Sequence, residues 1–279
     1  MMELKGTAPE HICAFLARSH VGTVEMINSR GIYLELAKAR ILLCGAQYGT
    51  VPNGVCLENW AQLPLLLQQG QPVRTGRGLL RFPSGKLRLQ LQSVAPDTVC
   101  CLPPQQGMEQ ALELLAGLPD KGLAPLVRPL FGLPGNLDLR CETALPHVEG
   151  LLNALHTSDT ASITRYVKAL LGFGLGLTPS GDDVLAGLMY GLRHSPLRTC
   201  VPVATLTEAI QTNAPQRTNA ISADYLLALC RDAAFTRLSE AWRDPGSCAG
   251  ALLEIGSSSG SEMLLGLTLA YKMISSQSC

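Results

Sequence analysis

Apolar and polar residues nearly alternate over much of the first hundred positions. The segment GTVEMINSRGIYLELAKARILLC (22–44) contains two such runs, broken at residues 28–31, and GLLRFPSGKLRLQLQSV (78–94) repeats the pattern around residues 83–86. Alternation interrupted by Asn, Ser, Gly or Pro is typical of β-hairpins. We therefore expect a mainly β lobe over residues 1–105, a small barrel or a sandwich.

Two shorter features complete this predicted lobe. LKGTAPEHICAFLARSH (4–20) opens with a Thr/Pro helix-start signal and places Ile12, Phe15 and Leu16 on one face, which predicts a short amphipathic helix. TVPNGVCLE (50–58) contains the turn residues Pro-Asn-Gly and is interpreted as a loop.

After the proline-rich seam CCLPPQQG (100–107) the apolar residues recur at helical spacing. A last helix is expected through EMLLGLTLAYKMI (262–274), and PLVRPLFGLPGNLDL (125–139) is a proline-rich connection. The helical stripes are Ile163, Val167, Leu170 and Leu171; then Val184, Leu185, Leu188, Met189 and Leu192; then Ile221, Tyr225, Leu226 and Leu229. The sequence thus predicts an α+β protein with a helical lobe at 106–279.

Composition narrows the possible partners. Twenty-two basic and 22 acidic residues give a formal net charge of zero, which disfavours a nucleic acid or an anionic membrane as partner. Charged residues make up only 16% of the chain against 47% apolar residues, so we expect other subunits to cover part of the surface.

The cysteines and histidines give no sign of a metal centre. Ten cysteines, including Cys279, form no CxxC pair, and the five histidines lack metal-ligand spacing. No secretory signal and no apolar run of transmembrane length is recognisable, so we expect a cytoplasmic protein with free thiols.

The segment GLGLTPSGDD (174–183) is the main candidate for chemistry. Gly172, Gly174 and Gly176 can adopt positive φ, and Thr178 before Pro179 is a helix-start pair. A glycine-rich loop that leads into a helix N-terminus can bind an anion, although Ser180 with an acid three residues later also fits an ordinary capping box. The Gly-Lys-Ser/Thr core of a P-loop is missing.

Two adjacent carboxylates follow in the same segment. Side chains of neighbouring helical residues point about 100° apart, so Asp182 and Asp183 cannot both face one ligand atom. One is expected to cap or pair internally, while the other holds Mg²⁺, polarises a substrate amide or orients an arginine.

Two further polar helix starts lie downstream. QRTNAISADYLL (216–227) offers an arginine able to grip a carboxylate or phosphate, with hydroxyl and amide groups beside it, or else an ordinary cap with one surface arginine. GSSSGSE (256–262) is a hydroxyl-rich helix start or merely a linker. SGDDVLAG (180–187) and SGSEMLLG (259–266) also match each other at an offset of 79 residues, either as an internal echo or because both follow common helix-start preferences.

The GxGLTPSGDDxLxG segment, the upstream β-rich lobe with its Pro-Asn-Gly turn, and the later T-N-x-I-S segment resemble the AllH family of bacterial proteins. The resemblance implies a cytoplasmic subunit of the oxamate carbamoyltransferase of anaerobic allantoin catabolism. It implies that an FdrA-like subunit and a second partner act with it to convert oxalurate and phosphate into oxamate and carbamoyl phosphate. The sequence establishes no cofactor requirement, and Mg²⁺ is the one candidate cofactor.

We expect the three helix starts to converge on one small anion. The predicted catalytic residues are Thr178, Asp182 and Asp183. The predicted anion-binding residues are Gly174, Gly176, Ser180, Gly181, Arg217, Thr218, Asn219, Ser222, Ser259 and Gly260. Two alternatives stay open: a non-catalytic scaffold or regulatory subunit of the same complex, and a free-standing Mg²⁺-dependent hydrolase or phosphotransferase.

Overall fold

The computed structural model describes residues 2–83, 85–96, 98, 100–119 and 121–277; Ser84 of the second predicted turn and Cys279 lie outside the described residues. Within these ranges the chain divides into two compact units, Met1–Asp97 with Arg231–Thr236, and Thr98–Cys230 with Arg237–Cys279. The first unit is a closed β-barrel with one helix, and the second is helical. The predicted α+β class is confirmed.

The barrel is closed in the order β1-β5-β4-β3-β2-β6-β7-β8. Most neighbours are antiparallel, whereas β1 pairs with β8 and β4 with β5 in parallel. The strands are β1 (Met2–Pro9), β2 (His20–Ile27), β3 (Gly31–Leu36), β4 (Ala39–Gly45), β5 (Gly54–Leu57), β6 (Pro72–Gly76), β7 (Leu79–Phe82) and β8 (Gly85–Val94), and helix α1 (Glu10–Ala17) connects β1 to β2.

Both predicted hairpins are present. In the first, Ile27 pairs with Ile32, and the side chain of Asn28 accepts the backbone N–H groups of Arg30 and Gly31 at 2.9 and 3.0 Å. Such an Asx turn closes the loop without strain. In the second, Phe82 of β7 pairs with Gly85 of β8.

Three strands, β1, β5 and β6, were not predicted from the sequence. β1 precedes the predicted helix, and β5 occupies the second half of the segment interpreted as a loop, with all four of its residues buried. β1 pairs with β8 and with β5, and β6 pairs with β2, so these partners are remote in sequence, whereas β5 also pairs in parallel with the preceding strand β4. Local alternation cannot indicate such pairing in short segments that contain Gly and Pro.

Aliphatic side chains fill the barrel interior. The largest fully buried residues of this unit are Leu4, Ile32, Leu34, Leu36, Ile41, Leu43, Leu57, Leu63, Leu80 and Leu87. Inward-facing positions of a small barrel are filled by side chains in this way, so the barrel encloses a packed core.

The helical unit contains ten α-helices within the described residues. They are α2 (Gln105–Ala116), α3 (Val127–Leu130), α4 (Leu139–His156), α5 (Thr160–Leu170), α6 (Ser180–Arg193), α7 (Val201–Arg217), α8 (Ala220–Cys230), α9 (Thr236–Arg243), α10 (Pro245–Leu253) and α11 (Ser259–Gln277). No helix in the described part of the chain combines the length and apolar character needed to cross a bilayer.

Candidate functional site

Helices α6 and α11 form the centre of the helical unit. All residues of α6 from Ser180 to Leu192 are buried. A Cβ at Gly187 would lie 2.1 Å from the carbonyl oxygen of Met263, and one at Gly266 would lie 2.3 Å from that of Val184. The two backbones therefore touch, which only glycine permits at these positions.

The two helices run side by side in the same direction. Gly187 lies against Gly266, and Gly191 lies against Ala270, so each contact joins residues 79 positions apart. This spacing equals the offset of the echo between SGDDVLAG and SGSEMLLG. The similarity between the two segments therefore corresponds to their packing. Equivalent residues of α6 and α11 lie beside each other, and the N-termini of both helices are at the same end.

The loop before α6 uses glycine where the backbone requires it. Gly172, Gly174 and Gly176 have φ values of 75, 107 and 107°, and a Cβ at Gly172 would lie 2.3 Å from the carbonyl oxygen of Arg217. Leu175, between the last two glycines, is 85% exposed. The loop therefore turns sharply over the start of α6 while presenting one apolar side chain to solvent.

Asp182 joins this loop to the start of α8. Its Oδ1 accepts the backbone N–H of Gly172 at 2.8 Å, and its Oδ2 accepts hydroxyl hydrogen bonds from Thr218 and from Ser222, the latter at 2.6 Å. Burial raises the pKa of Asp182, and these hydrogen bonds partly oppose that shift. With both oxygens occupied by protein donors, Asp182 is the internally paired member of the two adjacent acids.

Asp183 has the opposite environment. It is also fully buried, but neither of its carboxylate oxygens has a hydrogen-bond partner. Burial raises the pKa of Asp183 well above its usual value, and the nearby charge of Glu262 raises it further. The hydroxyls of Ser259 and Thr178 are close enough to oppose the shift without reaching hydrogen-bond geometry.

Glu262 is a site residue that was not predicted from the sequence. It is fully buried; Oε1 accepts the backbone N–H of Leu123 at 2.9 Å, whereas Oε2 has no partner. Burial raises the pKa of Glu262, and the nearby hydroxyl of Ser180 partly opposes this. Glu262 occupies in α11 the position that Asp183 occupies in α6. The similarity of the two segments could therefore have identified Glu262 from the sequence.

The three predicted helix starts converge. The hydroxyls of Thr178 and Ser259 are 2.9 Å apart, and the side-chain amide of Asn219 donates to the carbonyl oxygen of Gly176 at 3.5 Å. Asn219 also caps α8 by accepting the N–H of Ser222 at 3.0 Å. Thr178 and Ser259 are half-buried, so they lie between the solvent and the buried acids.

The other predicted residues serve packing or face solvent. Gly181 and Gly260 allow close approach to the carbonyl oxygens of Leu170 and Leu252, which would lie 2.1 and 1.9 Å from a Cβ at each position. Arg217 is exposed at the end of α7, and its guanidinium donates to the carbonyl oxygen of Lys168 at 3.1 Å. Arg217 thus ends a helix, whereas the sequence pattern had indicated a helix start.

Tyr225 of α8 borders the acids as well. Its hydroxyl donates to the sulfur of Met263 at 3.4 Å, and burial together with the charge of Asp183 raises its pKa. Across the residues that the structure describes, no three His, Cys, Asp or Glu side chains cluster as a metal-ligand set. A metal here would need hydroxyl or backbone oxygens in addition to carboxylates.

A comparison with protein-family models matches residues 170–271 to the family described as oxamate carbamoyltransferase subunit AllH. The resemblance to the AllH family is confirmed for residues 170–271, and the β-rich lobe lies outside the match. The AllH match begins at the end of α5 and includes the glycine loop, α6, the start of α8 and most of α11. Comparisons with curated proteins and with solved structures found no match.

Proposed function

We propose that this chain is a subunit of an oxamate carbamoyltransferase and that its helical unit forms a small-anion pocket where α6, α8 and α11 begin. The AllH match supports this proposal, since it spans all the predicted site residues. The observation that carries it is the convergence of the glycine loop with Thr178, Ser259 and Asn219 above two buried acids.

The reaction is the transfer of a carbamoyl group between the nitrogen of oxamate and phosphate. An oxygen of hydrogen phosphate attacks the carbamoyl carbon of oxalurate, the C–N bond breaks, and the oxamate nitrogen takes up the proton that the phosphate gives up. Such a transfer depends on holding two anions in position and on stabilising charge at the carbonyl oxygen. Backbone N–H groups at helix N-termini and hydroxyl donors suit both tasks.

The buried acids fit this chemistry when their negative charge is neutralised, by a proton or by a bound cation. An ionised carboxylate would repel phosphate, oxalurate and oxamate, whereas a protonated one is neutral and donates a hydrogen bond. Burial raises the pKa of both Asp183 and Glu262 and so favours their protonated forms, and the charge of Glu262 adds to this effect at Asp183. We assign substrate contact to Thr178, Ser259 and Asn219, with Asp183 buried beneath the two hydroxyls, and we assign Asp182 the role of holding the loop.

Partners follow from the same proposal. An FdrA-like subunit and a second carbamoyltransferase subunit would assemble with this chain in the cytoplasm. The low content of charged residues, 16%, and the exposed Leu175 beside the site support contact with other subunits.

Reconstitution of the three subunits tests the proposal. Carbamoyl phosphate formed from oxalurate and phosphate is measured with the wild-type chain, with Thr178→Val and with Asp183→Asn. Thr160→Val and Asp159→Asn, at the exposed start of α5, are the matched controls. We expect the two site variants to lose at least about 100-fold in rate, the typical effect of removing a positioned donor, while the controls keep full activity.

Three other outcomes separate the alternatives. Full activity in complexes that contain either site variant would make the chain a scaffold or regulatory subunit. Turnover by the isolated chain would favour the free-standing hydrolase or phosphotransferase. No assembly with the partner subunits would contradict the proposal altogether.

A further inference from the structure

We propose that Asp183 and Glu262 together bind one hard metal cation between the first turns of α6 and α11. The proposal adds a ligand to the cluster described under the proposed function and concerns the same residues. Its test uses the isolated chain and measures binding, so its failure and the failure of the carbamoyltransferase assignment are distinguishable.

The first argument is the unmet hydrogen-bonding capacity of two buried side chains. Asp183 and Glu262 are both fully buried, yet both oxygens of Asp183 and Oε2 of Glu262 lack a partner. A buried carboxylate is normally paired, hydrogen-bonded or bound to a metal, because its desolvation is otherwise uncompensated. Asp182, with three donors, shows that the same helix start can satisfy a carboxylate from protein groups alone.

The second argument is position. The glycine contacts fix α6 and α11 in a register that places Asp183 and Glu262 at equivalent positions, close enough for the charge of Glu262 to act on Asp183. Two carboxylates brought together in this way repel each other unless a cation or a shared proton lies between them. A cation attracts both, so it accounts for the pairing itself.

The third argument is the chemistry of the surrounding atoms. Hydroxyl groups lie near both acids and lower their pKa values. Those of Ser259 and Thr178 affect Asp183, and those of Ser180 and Ser258 affect Glu262. Oxygen ligands of this kind select hard cations such as Mg²⁺, Mn²⁺ or K⁺ over softer metals. Two carboxylates are the number with which proteins commonly hold Mg²⁺.

The other ionisable groups around the pair do not supply the missing positive charge. Asp182 and Tyr225 add negative charge or none, and Arg140 makes the smallest of the contributions acting on Glu262. A bound cation would therefore be the main positive charge at this point. It would also bring the cluster closer to neutrality, which an anionic substrate above it requires.

The experiment is metal binding by the full chain after dialysis against a chelator. Mn²⁺ is titrated with detection of free ion by electron paramagnetic resonance, and Mg²⁺ and K⁺ are added as competitors. We expect one Mn²⁺ site per chain, displaced by the cation that the site prefers. Asp183→Asn and Glu262→Gln should each weaken Mn²⁺ binding at least tenfold, while Asp159→Asn should leave it unchanged.

A second measurement covers variants that fold poorly. The melting temperature of the wild-type chain should rise with added cation, and circular dichroism of each variant checks that it is folded. Absence of Mn²⁺, Mg²⁺ and K⁺ binding at millimolar concentration would overturn the proposal and leave a shared proton between the two acids. Binding that survives both amide substitutions in folded variants would overturn it as well.

Discussion

The interiors of the two units differ in kind. Among the described residues, the barrel core is aliphatic, and its buried polar residues are the uncharged Thr50 and Thr75. The helical unit buries three carboxylates within one cluster, at Asp182, Asp183 and Glu262. An apolar core is what stability alone favours, whereas a buried charge costs free energy unless it is compensated. The barrel thus has the kind of core that stability favours, whereas the helical centre carries uncompensated carboxylates, and that is where we propose the functional site lies.

Removal of the Asp182 carboxylate should cost the most stability. Asp182→Ala leaves the N–H of Gly172 and the hydroxyls of Thr218 and Ser222 without their acceptor, so we expect a loss of about 3–5 kcal/mol in the free energy of unfolding. Urea unfolding followed by circular dichroism measures the loss. Asp159→Ala, which removes only an exposed N-cap, should cost much less stability and serves as control.

Creating a cavity in the barrel core measures how much stability a buried aliphatic side chain contributes. Leu34→Ala removes a side chain that is 1% exposed, and we expect a cost of about 2–4 kcal/mol with no change in metal binding or catalysis. Chemical denaturation and the Mn²⁺ titration are the measurements. A loss of Mn²⁺ affinity in the folded variant would contradict the separation of roles between the two units.

One added methyl group at the contact between α6 and α11 should destabilise the chain. Gly266→Ala places its Cβ 2.3 Å from a backbone oxygen of α6, and forcing the helices apart should cost about 1–3 kcal/mol. Gly250→Ala is the matched control: no atom lies near its Cβ position in α10, so it should stabilise the chain by about 0.5–1 kcal/mol. Equal effects of the two substitutions in denaturant unfolding would show that the close contact is unimportant.

Asp183→Asn should change stability in a pH-dependent way. The pKa of Asp183 is raised in the folded chain, so the acid favours folding while it is protonated and loses that contribution as pH rises through the folded-state pKa. In the presence of a chelator, the free energy of unfolding of the variant should therefore rise relative to that of the wild type as pH increases from about 5 to about 8. Denaturant unfolding at several pH values measures the difference.

Other groups titrate near Asp183, namely Asp182, Glu262 and Tyr225, with Arg140 beside Glu262. Asp159→Asn controls for the general effect of losing one negative charge. A stability difference that shrinks with rising pH would contradict the assignment of Asp183 as an acid without internal partners.

Arg217→Lys should have the smallest effect on the fold. The guanidinium is exposed and makes one hydrogen bond to the carbonyl oxygen of Lys168, so we expect a change within about 0.5 kcal/mol. If Arg217 also grips a substrate carboxylate or phosphate, loss of its planar fork should weaken the apparent affinity for carbamoyl phosphate about tenfold in the assembled complex. Unchanged affinity at low and at high salt would leave Arg217 as a helix-end residue.

Much of the fold was predictable because its signals are local. The alternation around Asn28 and the turn at Pro83 indicated both hairpins, and the apolar stripes located α5, α6, α8 and α11. β1, β5 and β6 were not predicted, since β1 pairs with β8 and with β5 and β6 pairs with β2, all of them distant in sequence.

The candidate site was predictable only in part. Helical geometry required Asp182 and Asp183 to differ, but only the positions of Gly172, Thr218 and Ser222 show that Asp182 is the paired one. Glu262 could have been proposed from the echo, yet its proximity to Asp183 depends on the parallel packing of two helices separated by several others.

The segment Arg231–Thr236 belongs to the barrel unit although it follows α8 of the helical unit. Thr236 exchanges two hydrogen bonds with Thr50: its hydroxyl accepts the N–H of Thr50 at 3.0 Å, and its N–H donates to the carbonyl oxygen of Thr50 at 2.9 Å. Domains generally fold in the order of their synthesis on the ribosome. Here most of the barrel is synthesised first, but its last segment is translated only after most of the helical unit. The two units therefore cannot be separated by dividing the gene at a single position.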